Sequence, residues 1–100
     1  MRIKPEIDLG IEGEIYIDVS DRWTKREVDA CRNASPEEYI EEWFPKKVSA
    51  LSIPCESGDI TDTMGLTLDV LEDIDYRLYG FVMTSLYKAI GKLFLLSQTS

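Results

Sequence analysis

Between Glu6 and Val19 apolar and polar residues alternate: Ile7, Leu9, Ile11, Ile15, Ile17 and Val19 share odd parity, with Asp8, Glu12, Glu14 and Asp18 on the opposite face. A period of two rich in β-branched residues predicts one or two half-buried strands over residues 6–19. Gly10 and Gly13 flank Ile11 and Glu12, which allows a tight hairpin or a bulge to divide the run. A two-stranded ribbon is marginal alone, so a helix is expected across its apolar face.

The period then lengthens. Thr24 and Glu27 have capping-box spacing, and Trp23 and Val28 have that of a hydrophobic staple, which predicts a short helix from Lys25 to about Arg32. Ser35 is placed to cap a second helix, with Pro36 in its first turn and Glu37 and Glu38 at its positive end. Tyr39, Ile40, Trp43 and Phe44 recur at three and four, giving an aromatic inner face with Glu37, Glu38, Glu41 and Glu42 outside it. Pro45 marks a boundary or kink; the helix is expected to resume from Lys46 to Leu51, with Val48 and Leu51 inward, and to stop at Pro54. Residues 54–68 read as a loop pivoting on Gly58, with room for a short helix around Met64 to Leu71.

The strongest helical signal lies in residues 69–96, where Val70, Leu71, Ile74, Leu78, Phe81, Val82, Leu86, Ala89, Ile90 and Leu93 recur at three and four. Asp69, Glu72, Asp73 and Asp75 stand at its start and Lys88 and Lys92 near its end, as the helix dipole favours. Unbroken, this helix would be about 42 Å long at 1.5 Å per residue. It therefore either bends near Gly80 or Gly91, or projects an end carrying Phe94, Leu95 and Leu96 that another surface would cover. Together these elements predict a single small α+β domain over residues 1–100, mainly helical. A short β-hairpin or strand packs on three to four helices, with a long amphipathic helix last.

With 100 residues and 44% hydrophobic composition, the chain has enough apolar material for one core and too much for disorder. Its net charge of -8 disfavours direct binding to nucleic acid. All 19 acids lie in residues 1–75, whereas residues 76–100 hold only Arg77, Lys88 and Lys92 among charged groups. An acidic body with a mildly basic, apolar end suits a partner of opposite pattern or a second copy. Lys88 and Lys92 make a membrane span through the last helix costly. No signal peptide is apparent at the N-terminus, so a cytoplasmic location is expected.

Candidate chemistry is sparse. There is no histidine, which removes the commonest metal ligand and the usual general base. Cys31 and Cys55 lack metal-site or disulfide-framework spacing and read as thiols in a reducing compartment. Asp69, Glu72 and Asp73 share a helical face that could hold a hard cation, although a solvated helix start explains them as well. Asp59 and Asp62 read as turn and cap residues; an enzyme would need them to converge with a group such as Arg77. The expectation is no enzyme, no cofactor and no metal.

Aromatic residues point instead to protein binding. Trp23, Tyr39 and Trp43 lie close in sequence, and Tyr76, Tyr79 and Tyr87 widen the apolar stripe of the last helix, which includes Phe81 and runs on to Phe94 and Leu95. These nine are the candidate interface residues, and homo-oligomerisation is expected. The alternatives are an acidic inhibitor or nucleic-acid mimic filling a basic cleft on a target, and a small enzyme or enzyme subunit.

The order of these features resembles the small tail assembly chaperones of long-tailed bacteriophages. The likeness runs through Trp23 to Glu27, the acid-rich helix, the stretch Lys46 to Ile53, the turn Gly58 to Asp62 and the closing helix Leu71 to Leu93. It implies a chain that guards the tape-measure protein during tail assembly in the host cytoplasm, with the apolar last helix and the aromatic patch as contact surfaces.

Overall fold

The computed structural model describes residues 1–56 and 58–99, with side chains as far as Leu96. Ser57, inside the expected turn, lies outside the described residues. The chain is a small α+β domain: an antiparallel three-stranded sheet covered by helices, with one long helix at the end.

The sheet differs from the expected N-terminal ribbon. Strand β1 is Arg2–Ile3, β2 is Tyr16–Val19 and β3 is Val48–Ser52, in the order β1-β2-β3. The alternation over 6–19 is a strand only in its last part, where Ile17 and Val19 are buried and Asp18 faces outward to an ion pair with Arg2 at 2.8 Å. Upstream, the Asp8 carboxylate accepts the Gly10 amide at 2.8 Å, and Gly10 and Gly13 take positive φ. These local turns compete with a ladder and convert residues 4–15 into a connection. A Cβ at Gly13 would come within 3.0 Å of the Pro54 ring, so this close approach requires glycine.

Helix α1, Lys25–Arg32, begins with the expected capping box: Glu27 N–H donates to Thr24 Oγ1 at 3.1 Å and Thr24 N–H to Glu27 Oε1 at 2.9 Å. Ser35 caps the next helical run, which opens as α2 at Pro36–Glu38, widens to π geometry over Tyr39–Trp43 and closes as α3 at Phe44–Lys47. Tyr39, Ile40, Trp43 and Phe44 are buried and the four glutamates exposed, as their spacing predicts. The π turn immediately precedes Pro45, whose ring in a regular α-helix would meet the carbonyl of Glu41; a wider turn relieves that clash and keeps the run continuous.

The helix does not resume to Leu51. Residues 48–52 are β3, and the spacing of three between Val48 and Leu51 has another cause: Asp18 pairs with Ala50 and Val19 with Val48, so Ser49 is an extra residue in the strand. A β-bulge shifts parity by one and places both apolar residues on the core side. Ile53 continues the strand's inward parity and pairs with Ile60.

The expected 69–96 helix is divided, though not at either glycine. Thr67 caps α4, Leu68–Asp73; Ile74 is extended; α5 is Tyr76–Thr99. Asp75 starts α5, accepting the Arg77 amide on Oδ1 at 2.9 Å, while its carbonyl accepts from Tyr79 at 3.0 Å. At 24 residues, α5 is about 36 Å long in a molecule 42 Å in its largest dimension. One core joins the sheet, the 36–47 run and α5 through Ile3, Ile17, Leu51, Tyr39, Phe44, Leu78, Val82 and Leu86.

Candidate protein-interaction surface

Among the described side chains of α5 Ile90 is the last that is buried, and the apolar sequence runs on past it. Phe94, Leu95 and Leu96 are 63%, 65% and 62% exposed. Beside them, α1 and the end of α5 enclose a groove of about 460 Å³ lined by Trp23, Val28, Ile90, Leu93 and Phe94 and edged by Lys25, Asp29 and Arg32. The Lys25–Asp29 pair, at 2.9 Å, is one helical turn apart and largely exposed.

The floor of this groove is fixed from behind by a residue that patterning did not single out, Lys47. Its ammonium is nearly buried, donates to the Arg22 carbonyl at 2.7 Å, pairs with Glu27 Oε2 at 2.9 Å and lies 4.7 Å over the Trp23 ring. Glu27 thereby serves the helix cap with one oxygen and the ion pair with the other. Lys47 first, and the Thr24 amide second, hold its carboxyl below the usual range. Trp23 stacks on Trp43 with centroids 5.8 Å apart and donates its indole N–H to the Ser20 carbonyl at 2.8 Å. The available signal was that Lys47 follows Trp43 by four on the buried stripe 39–40–43–44–47–48.

The candidate interface residues separate into two groups. Tyr39, Trp43 and Phe81 are core residues, which removes them from any surface this chain presents. Trp23 and Tyr79 are half-buried, Tyr87 is partly open, and Tyr76, Phe94 and Leu95 are well exposed. Tyr39 is the deepest: burial raises its phenol pKa well above the usual range, and its ring lies 5.3 Å from those of Phe44 and Tyr87.

The acidic residues also separate. Glu12, Glu56, Asp59, Asp73 and Asp75 line a cleft of about 530 Å³ floored by Ile11, Pro54, Ile74 and Leu78. Asp62 accepts the Met64 amide at 2.9 Å, and Arg77 binds the Asp75 carboxylate and the Leu9 carbonyl. Of Asp59, Asp62 and Arg77, only Asp59 lines the cleft. Among the described residues no group of three or more Cys, Asp or Glu side chains is arranged to hold a metal, Asp69, Glu72 and Asp73 included. Cys31 is buried, and desolvation pushes its thiol up to about 11. Among the described residues no helix is long and apolar enough to cross a membrane.

Comparison with known protein families, curated proteins and solved structures finds no match to this chain.

Proposed function

We propose that this chain is a protein-binding assembly module whose α5 end and adjoining groove receive an apolar helical segment of another protein. The observation that carries this reading is the exposed run Phe94, Leu95 and Leu96 beyond the buried Ile90. Successive helical residues point about 100° apart, so these three turn apolar surface through more than half the helix circumference. A domain lying on one side of the helix covers only part of that surface, and a second chain supplies the rest. Burying the exposed parts contributes roughly 1–2 kcal/mol per side chain.

In its finer form, the occupant is a helix of a tape-measure protein and the chain is a tail assembly chaperone of the host cytoplasm. The order of the acid-rich helix, the Gly58 to Asp62 turn and the apolar closing helix supports this form.

Calorimetric titration with synthetic amphipathic helices, one taken from a tape-measure protein and each with a scrambled control, tests the proposal. The expected result is binding of the patterned helix and loss of binding in Leu95→Asp and Leu96→Asp. Failure of every patterned helix to bind, or binding indifferent to both substitutions, would overturn it.

The acidic cleft supports a second reading, an inhibitor that takes a basic segment of its target between Glu12, Glu56, Asp59 and Asp73. A lysine-rich peptide would then bind with steep salt dependence, and Glu56→Gln with Asp59→Asn would weaken it.

A further inference from the structure

The strand-like alternation of residues 6–19 is strand only from Tyr16 onward, and Ile7 within it is 73% exposed. The register of the part that does pair explains the arrest. Met1 and Val19 exchange two bonds, from the Met1 ammonium to the Val19 carbonyl at 2.9 Å and from the Val19 N–H to the Met1 carbonyl at 2.7 Å. Arg2 then stands opposite Asp18, and Ile3 opposite Ile17. In an antiparallel ladder, hydrogen-bonded pairs alternate with non-bonded pairs, whose side chains approach more closely. Arg2 and Asp18 are a pair of the second kind, and their charges are opposite. Carried on in the same register, the next such pairs would be Lys4 with Tyr16, Glu6 with Glu14 and Asp8 with Glu12. Like charges directly opposite destabilise a ladder. Pro5, opposite Ile15, adds a missing N–H.

The other requirements of a hairpin are present. Leu9, Gly10 and Ile11, left between Asp8 and Glu12, make a loop of a common hairpin length, and Gly10 already has φ +70°. Ile7 and Ile15 carry the parity of the buried Ile3 and Ile17. The two limbs, residues 4–9 and 11–15, both line a hollow of about 420 Å³, so they stand apart instead of pairing. Contacts elsewhere favour the open form. Glu6 shares a groove with Arg77 and Lys88 of α5, and Arg77 binds the Leu9 carbonyl. Glu12 lines the acidic cleft with Glu56, Asp59, Asp73 and Asp75, while the cations nearest the limbs in the chain are Arg2 and Lys4.

We propose that residues 4–15 are a β-hairpin held open by its own carboxylates, which closes as an extension of β1 and β2 when their charge is neutralised. Closure turns Ile7 to the face that Ile3 and Ile17 bury. It also withdraws the Leu9 carbonyl from Arg77 and takes Ile11 and Glu12 away from the cleft, opening the floor at Ile74 and Leu78. The segment is thus a charge-sensitive lid on that cleft, separate from the helix-binding end of α5. Its two positions differ in which charges face each other, so a change of charge shifts the balance between them.

Glu12→Lys with Glu14→Lys tests the proposal by turning both like pairs into opposite ones. In nuclear magnetic resonance spectra the Hα atoms of residues 6 and 14, and of 8 and 12, should come into contact, and amide exchange at Ile7 and Gly13 should slow about tenfold or more. Wild type should show neither at low salt and should move toward both at 1 M salt, where the screening length falls to about 3 Å. Glu6→Lys, Asp8→Lys, Glu12→Lys and Glu14→Lys together restore like pairs and should reopen the hairpin, which separates charge from strand propensity. Adding Pro5→Thr to the double-lysine chain supplies the missing donor and should slow exchange further. The inference is overturned by a wild type already closed at low salt, or by a four-lysine chain that stays closed. It is equally overturned if the double-lysine chain, with and without Pro5→Thr, lacks the contacts while its Leu86 amide stays protected. If the double-lysine chain fails to fold, Glu12→Gln with Glu14→Gln takes its place, with the same contacts expected and the same failure decisive.

Discussion

The Tyr39 hydroxyl accepts the backbone amide of Leu86 at 3.1 Å, joining residues 47 positions apart in sequence. It also donates to the Val82 carbonyl at 3.1 Å, so one phenol bridges an amide and a carbonyl that an α-helix pairs with each other. The π turn that begins at Tyr39 is thus tied to the middle of α5. Tyr39→Phe leaves the buried Leu86 amide to re-pair at a longer distance, while the Val82 carbonyl keeps the Ser85 hydroxyl at 2.7 Å, and should destabilise the fold by about 1–3 kcal/mol. Urea unfolding measures this, and amide exchange at Leu86 should quicken.

Lys47 offers a second check, because its stem fills the core edge while its ammonium meets Glu27, the Arg22 carbonyl and the Trp23 ring. Lys47→Ala removes both and should cost about 2–3 kcal/mol, below the range for fully buried pairs because Glu27 is still reached by water. Lys47→Met keeps the stem and should cost less. Equal losses in thermal unfolding would assign the whole effect to the charge.

Acid sensitivity follows from carboxylates whose pKa lies lower in the fold than outside it. Hydrogen bonds from Arg77 hold Asp75 at about 2 against an ordinary 3.8, and the bond from Arg2 likewise depresses Asp18. A depressed carboxylate contributes stability that is complete above its unfolded pKa and is lost as pH falls toward its folded one. Melting temperature should therefore drop between about pH 4 and pH 2. Asp75→Asn keeps the cap at the start of α5 and should flatten that limb by lowering the melting temperature at neutral pH while leaving it nearly unchanged at about pH 2.

Gly91→Ala should raise the stability of the folded chain by about 0.5–1 kcal/mol, since the helix gains propensity and the methyl group meets open space. Chemical denaturation at low protein concentration isolates this effect from self-association.

Where structure is set within a few residues, it was legible in the sequence. The Thr24–Glu27 box, the Ser35 cap and the aromatic stripe from Tyr39 to Phe44 all stand where spacing places them. Strand β3 was not legible, because the bulge at Ser49 gives Val48 and Leu51 a helix-like spacing that only the register against Asp18 and Val19 explains. Asp75 suits the first turn of a continuing helix as well as the cap of a new one, so the break at Ile74 had no distinct local mark. The deep burial of Tyr39, and the ion pair that carries Lys47 inward, depend on residues 20 or more positions away. At the candidate surface, an exposed end of α5 was one of the two outcomes its length allowed, whereas the groove against α1 was not foreseen.

Amide hydrogen exchange of the chain with and without a bound amphipathic helix tests the protein-binding account most directly. Protection is expected in residues 91–96 of α5 and in residues 23–28 at the groove, with little change in the sheet. Protection confined to the acidic cleft around Pro54 and Asp59, or none anywhere at saturating helix, would contradict it.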